Sequence, residues 1–232
     1  MARGKRLVTP AQPAQARAGT YPKQLELDIS QKQGLALINQ GEELFTVDGV
    51  LTAAEAAKLI VAADACGFQL QSSRGAAHGE AFRDNYRLAF EDAEQAALLW
   101  QRSGLEAACR DLPLAGRRAI GLNPNLRLYK YVVGQRFGRH FDDSVELGQG
   151  RITAFTLLVY LSGGEAPGSP TRLVGGETVF YGARGKLVAS VEPRAGRALL
   201  HRHGDACLAH EGHAVRSGVK YVLRSDVVTA EL

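Results

Sequence analysis

Tyr131-Val-Val-Gly-Gln-Arg-Phe-Gly-Arg-His-Phe-Asp142 is the most informative stretch of this chain, because an extended run ends in two side chains that can bind a metal ion. Side chains two positions apart on an extended segment point to the same side. His140 and Asp142 can therefore present an imidazole and a carboxylate to one ion, while Phe141 faces away. A His-x-Asp triplet is common by chance, so its meaning depends on the rest of the chain.

A second histidine, His210, follows in the segment Leu208-Ala-His-Glu-Gly212. Two histidines and one carboxylate on one face of a metal form the facial triad of non-haem iron(II) oxygenases, which leaves the other positions open. A structural zinc site is closed by four ligands, and the three cysteines form no zinc-binding spacing. The pattern predicts that His140, Asp142 and His210 bind one iron ion.

Lys220 begins an otherwise apolar strand, Lys220-Tyr-Val-Leu-Arg-Ser-Asp-Val227. A lysine is expensive to bury unless it meets an anion, and the distal carboxylate of a dicarboxylic acid would be such an anion. Arg224 lies on the same side of this strand by parity and could add a second positive group.

The second half of the chain predicts a β-rich core. After Gly121, short apolar runs alternate with glycine-rich turns, which favours a sandwich or barrel over a parallel sheet. Two helices are expected outside it. One is opened by the capping box Thr52-Ala-Ala-Glu55 and stops at Gly67, and the other begins near Asp92. The predicted strands are 44–47, 126–133, 152–161, 177–181, 186–191, 198–203 and 219–228.

The domain organisation is one domain with a tail. Residues 1–22 have no hydrophobic period and carry much of the net charge of +4, so we expect a disordered basic tail followed by a single domain, residues 23–232. Segment 162–175 is expected to be a loop, either one lip of the substrate entrance or a plain connector. No apolar run reaches the length of a membrane-spanning helix. The expected location is cytoplasmic or nuclear, with organelle targeting by the tail left open.

The chain resembles the iron(II)/2-oxoglutarate dioxygenases of the prolyl-4-hydroxylase-like group. The resemblance runs from about Leu44 to Val228 in ordered blocks. These are Tyr131–Asp142, Leu158-Val-Tyr-Leu161, Gly175-Gly-Glu-Thr-Val-Phe180, His210-Glu-Gly212 and Gly218–Val227. It implies a mainly β fold with flanking helices (α+β), a double-stranded β-helix or jelly-roll barrel with its core at about 121–229.

The resemblance also implies roles for individual residues. His140, Asp142 and His210 would bind iron, and Lys220 would pair with the distal carboxylate of 2-oxoglutarate, with Arg224 as a further positive group. Tyr131, Tyr160 and Thr178 match co-substrate contacts. The implied cofactors are Fe(II), 2-oxoglutarate and O2, with ascorbate as an optional addition, and the products include succinate and CO2. The polar segment Arg83-Asp-Asn-Tyr86-Arg87 is expected to bring Arg83 or Tyr86 to the substrate side.

Several alternatives stay open from the sequence. The substrate is expected to be a peptide or protein residue, prolyl most naturally, but the same chemistry on a nucleic-acid base or a small metabolite is an alternative. A cupin-like metal protein would use His201, His203 and His210 instead, and an inactive barrel would bind a partner. His213 competes with His210 as a ligand. The oligomeric state cannot be predicted from this sequence.

Overall fold

The computed structural model describes residues 25–73, 75, 81–165, 169 and 172–232. The predicted tail, residues 1–22, and part of the predicted loop 162–175 lie outside the described residues. The helices are α1 (Ala53–Cys66), α2 (Ala93–Arg102) and α3 (Leu105–Ala108). The strands are β1 (Ile38–Gly41), β2 (Leu44–Val47), β3 (Gln69–Ser72), β4 (Arg83–Glu91), β5 (Arg117–Leu122), β6 (Asn125–Tyr131), β7 (Arg136–His140), β8 (Glu146–Gly148), β9 (Arg151–Tyr160), β10 (Val174–Gly175), β11 (Thr178–Tyr181), β12 (Leu187–Val191), β13 (Ala198–Arg202), β14 (Ala209–Gly212), β15 (Val215–Ser217) and β16 (Lys220–Glu231).

The predicted capping box opens α1. The Thr52 hydroxyl accepts a hydrogen bond from the Glu55 amide at 3.1 Å, and the Glu55 carboxylate accepts one from the Thr52 amide at 2.7 Å. This reciprocal pair satisfies two amides that the first helical turn leaves free. The helix ends at Cys66, because Gly67 adopts a φ of 85° that favours glycine. The prediction of two flanking helices is confirmed.

The β strands form one large antiparallel sheet that curls into a barrel. Its order is β1-β2-β13-β9-β16-β6-β4-β7-β14-β11-β12, with β3, β5 and β8 paired at its sides. The two ends, β1 and β12, contact each other, so the barrel is nearly closed. The short strands β10 and β15 pair separately. The predicted mainly β barrel with flanking helices is confirmed.

The strand β4 was missed by the sequence prediction. It precedes residue 121, yet it lies between β6 and β7 near the middle of the sheet. The sheet therefore extends beyond the predicted core at 121–229. The sequence pattern did not indicate a strand here, because the face of β4 that points into the barrel carries the polar residues Arg83, Asn85 and Arg87, where apolar residues are usual.

Ordered structure begins earlier than the first predicted strand. Leu25, Leu27 and Ile29 are buried and belong to the main hydrophobic core with residues of α1 and α2. The Leu27 amide donates to the Gln95 side chain at 2.7 Å, which holds this segment against α2. Burying three aliphatic side chains favours this arrangement by a few kcal/mol. Among the described helices, none is long and apolar enough to span a membrane.

Gly196 marks the closest approach of the barrel to the turn that precedes α1. A Cβ atom at this position would lie 1.9 Å from the carbonyl oxygen of Leu51, and the φ of Gly196 is +80°. The Val50 amide donates to the Gly196 carbonyl at 2.9 Å. This contact requires glycine both for space and for backbone conformation.

Candidate metal centre

Two neighbouring strands position the predicted metal ligands. β7 ends at His140, and β14 pairs with it antiparallel so that His210 lies opposite His140. Asp142 follows two residues later and is buried, whereas Phe141 between them is 63% exposed. The alternation predicted from the sequence is therefore present, and it turns the imidazole and the carboxylate to the inside of the barrel.

The ligand atoms of these three residues converge. One ligand atom from each of His140, Asp142 and His210 lies within 4.8 Å of the others. The His140 Nε2 is 3.8 Å from Asp142 Oδ1, and the His210 Nε2 is 3.7 Å from Asp142 Oδ2. The arrangement brings two nitrogens and one carboxylate to a common point.

The orientation of both imidazoles suits a metal ion. The His140 Nδ1 donates to the Gly138 carbonyl at 2.8 Å, and the His210 Nδ1 donates to the Leu208 carbonyl at 2.9 Å. A carbonyl oxygen can only accept, so the proton of each neutral ring is on Nδ1 and the lone pair is on Nε2. Second partners of this kind commonly orient histidine ligands. The donor set fits a divalent ion with open positions.

The electrostatics keep these ligands in their metal-binding protonation states. Burial, and then repulsion from His210, lower the pKa of His140 to about 4. Burial likewise lowers the pKa of His210. Burial opposes the ionisation of Asp142, but the guanidinium of Arg224 and the hydrogen bond from Thr156 hold the pKa of that carboxyl well below its usual range. Both imidazoles are therefore neutral and the carboxylate is charged near pH 7.

A network of alternating charges supports Asp142. The Thr156 hydroxyl donates to Asp142 Oδ2 at 2.6 Å, and an Arg224 nitrogen lies 3.0 Å from the same oxygen. Arg224 also lies 3.7 Å from Asp226, which pairs with Arg127 at 2.6 Å. The guanidinium of Arg224 is thus paired with a predicted metal ligand. Arg224 also lines the cavity that contains Lys220, and its assignment as a second positive group for the co-substrate carboxylate stays a prediction.

Lys220 is buried without a matching carboxylate. Its side chain is 5% exposed, and Nζ donates to the Gly176 carbonyl at 2.7 Å. Nζ lies 5.4 Å from the ring centroid of Tyr131 and 5.5 Å from that of Tyr160. Within the described part of the chain, no carboxylate is at ion-pair distance from Nζ. Burial lowers the pKa of Lys220 to about 8.

One cavity joins Lys220 to the three predicted ligands. The hydroxyl of Tyr160 shares a hydrogen bond of 2.7 Å with the Thr178 hydroxyl. The cavity is lined by residues of the inner barrel face: Tyr129, Tyr131, Phe137, His140, Asp142, Thr156, Leu158, Thr178, His201, His210, Gly212, Lys220, Val222 and Arg224. The predicted residues Tyr131 and Thr178 lie in this wall. Tyr160 adjoins it through Thr178.

The two predicted substrate residues on β4, Arg83 and Tyr86, lie on opposite faces of the sheet. Arg83 places its guanidinium carbon 4.3 Å from the centroid of the Phe137 ring, and Phe137 stacks on His140 at 3.8 Å. Tyr86 has the opposite parity on β4 and lines a different cavity on the outer face, with Asp64 and Lys130. The prediction named Arg83 or Tyr86, and of these two residues Arg83 lies on the side of the candidate metal centre.

His201 was weighed in the sequence only as part of a different metal site. It is 3% exposed, and both ring nitrogens are buried without a hydrogen-bond partner among the described residues. Its Nε2 lies 3.7 Å from Asp142 Oδ2, and one ligand atom from each of His201, Cys207 and His210 also lies within 4.8 Å of the others. The signal for His201 in the sequence was its position directly after Leu199 and Leu200 in the predicted strand 198–203.

His203 has a different role from the one that a cupin-like site would give it. Its Nε2 is 2.7 Å from the Thr156 hydroxyl, and its Nδ1 is 3.2 Å from the Thr153 hydroxyl. Because Thr156 donates its proton to the Asp142 carboxylate, the Nε2 of His203 must donate to Thr156. Both nitrogens are thus committed to threonines, and a site that uses His201, His203 and His210 as ligands is not formed.

Comparisons with known proteins agree with this architecture. Residues 126–225 match the family model described as the 2OG-Fe(II) oxygenase superfamily. A search of the curated proteins finds no match.

Among solved structures, the fold is similar to the viral collagen prolyl hydroxylase of Paramecium bursaria Chlorella virus-1 in complex with 2-oxoglutarate. The identity is 21%, 82% of this chain and 97% of that chain are covered, and the TM-score is 0.54.

It is also similar to a Pseudomonas putida prolyl-4-hydroxylase, with 18% identity, 80% and 92% coverage and a TM-score of 0.56. A Trichoplax adhaerens prolyl hydroxylase in complex with a hypoxia inducible factor peptide gives 14% identity, 80% and 84% coverage and a TM-score of 0.53. At these identities the likeness concerns the fold, and it confirms the predicted double-stranded β-helix.

Proposed function

We propose that this chain, whose residues 126–225 match the family model of the 2OG-Fe(II) oxygenase superfamily, hydroxylates a peptidyl residue, prolyl in the first instance, with release of succinate and CO2. The observation that carries the proposal is the convergence of two neutral Nε2 atoms and one carboxylate in the cavity that also contains the buried ammonium of Lys220. The three groups are suited to a ferrous ion, and the ammonium is suited to an organic anion.

His140, Asp142 and His210 are proposed as the iron ligands, and Lys220 with Tyr131, Tyr160 and Thr178 as the 2-oxoglutarate site. When bound, Fe(II), 2-oxoglutarate and O2 supply oxidative decarboxylation coupled to oxygen insertion into the substrate, with ascorbate as an optional reductant. The protein contributes geometry and environment. Neutral imidazoles need not lose a proton before they bind the ion.

Lys220 is proposed to donate hydrogen bonds to the distal carboxylate of 2-oxoglutarate. Within the described residues Nζ makes one hydrogen bond, to the Gly176 carbonyl, and an ammonium has three donors. Two donors remain for the distal carboxylate of 2-oxoglutarate. The ring faces of Tyr131 and Tyr160 surround this ammonium, and they exclude water from the pair and favour its charged form.

A peptide substrate is supported by the relatives. The three structural neighbours described above are prolyl hydroxylases, and the Trichoplax adhaerens neighbour is in complex with a peptide fragment. These are properties of those proteins, and the substrate of this chain is proposed by analogy with them.

Two measurements test the proposal. Protein loaded anaerobically with Fe(II) and 2-oxoglutarate should show the weak visible charge-transfer band of a chelated 2-oxo acid. His140→Ala and His210→Ala should abolish the band, while His213→Ala should retain it, because the His213 side chain is 46% exposed and outside the cavity. An unchanged band in His140→Ala would refute the assignment.

The second measurement addresses the substrate. Succinate release should increase when proline-containing peptides are added, and mass spectrometry should find a gain of one oxygen on the prolyl residue. Turnover coupled only to oligonucleotides or to small metabolites would keep the dioxygenase assignment and reject the peptidyl substrate.

A further inference from the structure

The inner face of β4 carries an unusual row of polar side chains beside the candidate metal centre. In the antiparallel register, Arg87 lies opposite Tyr129 on β6, and Tyr129 lies opposite Val222 on β16. Tyr129 and Val222 both line the central cavity. Paired residues of adjacent strands point to the same face, so Arg87 projects to the cavity side, and Arg83 and Asn85 share this side by parity.

The arginines near the cavity divide into two pairs with different partners. Arg224 is paired with Asp142, and Arg127 with Asp226. Among the described residues, by contrast, no carboxylate lies at ion-pair distance from Arg83 or Arg87. The Nε of Arg87 is buried and has no hydrogen bond to any residue that the structure describes. Within the described ranges, Arg83 and Arg87 are therefore the two guanidinium groups on this side without an anionic partner.

The environment of Arg87 is unfavourable for an isolated cation. Burial lowers the pKa of Arg87 below its ordinary value, and the positive charges of Arg127, Arg83 and Arg224 act in the same direction against Tyr129. An arginine nevertheless remains charged in proteins. A half-buried cation that is repelled by its neighbours is stabilised when an anion binds to it.

Asn85 adds an independent indication of a ligand between the two arginines. Its side chain is fully buried, and its amide nitrogen donates to the Tyr86 carbonyl at 3.0 Å. Its Oδ1 atom is buried and accepts no hydrogen bond from the part of the chain that the structure describes. Buried polar atoms are rarely left unpaired. The row on β4 thus offers two guanidinium groups and one free acceptor, which match a carboxylate and a neighbouring N–H group.

We propose that Arg83, Asn85 and Arg87 form a subsite for a carboxylate of the hydroxylated substrate. The proposal rests on the proposed function and defines its substrate class, namely a peptide with a carboxylate close to the residue that is hydroxylated. The subsite is offset from Lys220 by one same-face position along β6, because the register places Lys220 opposite Tyr131 and Arg87 opposite Tyr129. Arg83 lies over the ring of Phe137, and this ring stacks on His140 at the candidate metal centre.

The test uses fluorescently labelled short peptides with one central proline, each made as a pair that differs only by Glu or Gln at one flanking position. The peptides are amidated at the C-terminus, and a second set has a free C-terminal acid. Binding is measured anaerobically to the full chain with Fe(II) and saturating 2-oxoglutarate, so that Lys220 is already occupied.

Glu peptides should bind at least about 10-fold more tightly than their Gln partners, as expected for hydrogen bonds to a charged group. Arg87→Gln and Arg83→Gln should remove this preference, and Arg87→Lys should restore part of it. Arg118→Gln, which removes an exposed arginine from β5, should leave it unchanged.

The outcomes separate this inference from the proposed function. A preference for the free acid set alone would identify the chain terminus as the carboxylate. Equal binding of all Glu and Gln partners in the wild type would overturn the subsite. The subsite would also be overturned if Arg87→Gln weakened 2-oxoglutarate binding and left the peptide preference unchanged. A Glu preference without any prolyl hydroxylation would retain the subsite and reject the prolyl substrate.

Discussion

Lys220→Met should change the stability of the metal-free protein with a sign that depends on pH. Burial lowers the pKa of Lys220 from 10.5 to about 8. This difference corresponds to about 3 kcal/mol, because each pH unit is 1.36 kcal/mol. Below pH 8 the native protein must keep a charged ammonium buried, and this cost lowers the free energy of unfolding by about 3 kcal/mol.

The cost is removed in a defined pH window. Between about pH 8 and pH 10.5 the unfolded chain holds the lysine proton and the native protein has lost it, so the contribution of Lys220 to stability rises with pH. Above pH 10.5 both states are neutral. The variant also loses the hydrogen bond from Nζ to the Gly176 carbonyl, which costs about 1 kcal/mol at any pH.

Lys220→Met should therefore be more stable than the wild type by about 2 kcal/mol at pH 7, or about 4–8 °C in melting temperature. It should be less stable by about 1 kcal/mol above pH 10.5. Urea unfolding of both proteins across this range, without metal or 2-oxoglutarate, measures the difference directly. A variant that is less stable at pH 7, or a difference that does not change with pH, would show that Lys220 is not a desolvated ammonium.

Three further substitutions test the site and the fold. Thr156→Val removes the hydroxyl that donates to Asp142 Oδ2 at 2.6 Å and should weaken anaerobic Co(II) binding about 10- to 100-fold. The control Thr229→Val, away from the cavity, should bind Co(II) like the wild type. Equal Co(II) affinities of Thr156→Val and the wild type would contradict this role of Thr156. His201→Leu removes two buried nitrogens that have no hydrogen-bond partner among the described residues, and it should raise the free energy of unfolding of the metal-free protein by about 1 kcal/mol. A loss of stability would mean that these nitrogens are hydrogen-bonded in the native protein. Gly196→Ala introduces a Cβ at 1.9 Å from the Leu51 carbonyl oxygen and should destabilise the protein by at least about 2 kcal/mol in urea. Gly34→Ala, with a φ of +68° and open space, should cost only about 1 kcal/mol, and similar losses at both glycines would refute the contact.

The sequence predicted the parts of the site that depend on local spacing. His140 and Asp142 lie two residues apart, so a strand places them on one side whatever the fold. The capping box at Thr52 is local in the same way, since its two hydrogen bonds join residues three apart. Lys220 was identified because a charged residue at the start of an apolar strand is unusual.

The parts that were missed depend on register between distant segments. Thr156 lies in an apolar run, and its contact with Asp142 exists because β9 pairs with β13 and β16 around it. β4 was not recognised as a strand because its inner face is polar, which its position beside the cavity explains. Arg224 was predicted to lie on the same side as Lys220, and both line the cavity, but parity within one strand does not reveal that Arg224 pairs with Asp142.

Asp142, Arg224, Asp226 and Arg127 form a series in which negative and positive groups alternate. The four formal charges sum to zero, so the charge of each residue is balanced by the charges of the other three. A homologue or an engineered variant that exchanges one of these residues for a neutral one leaves an unmatched charge in the barrel wall. We therefore expect the series to vary as a unit, with acidic and basic members lost or gained together.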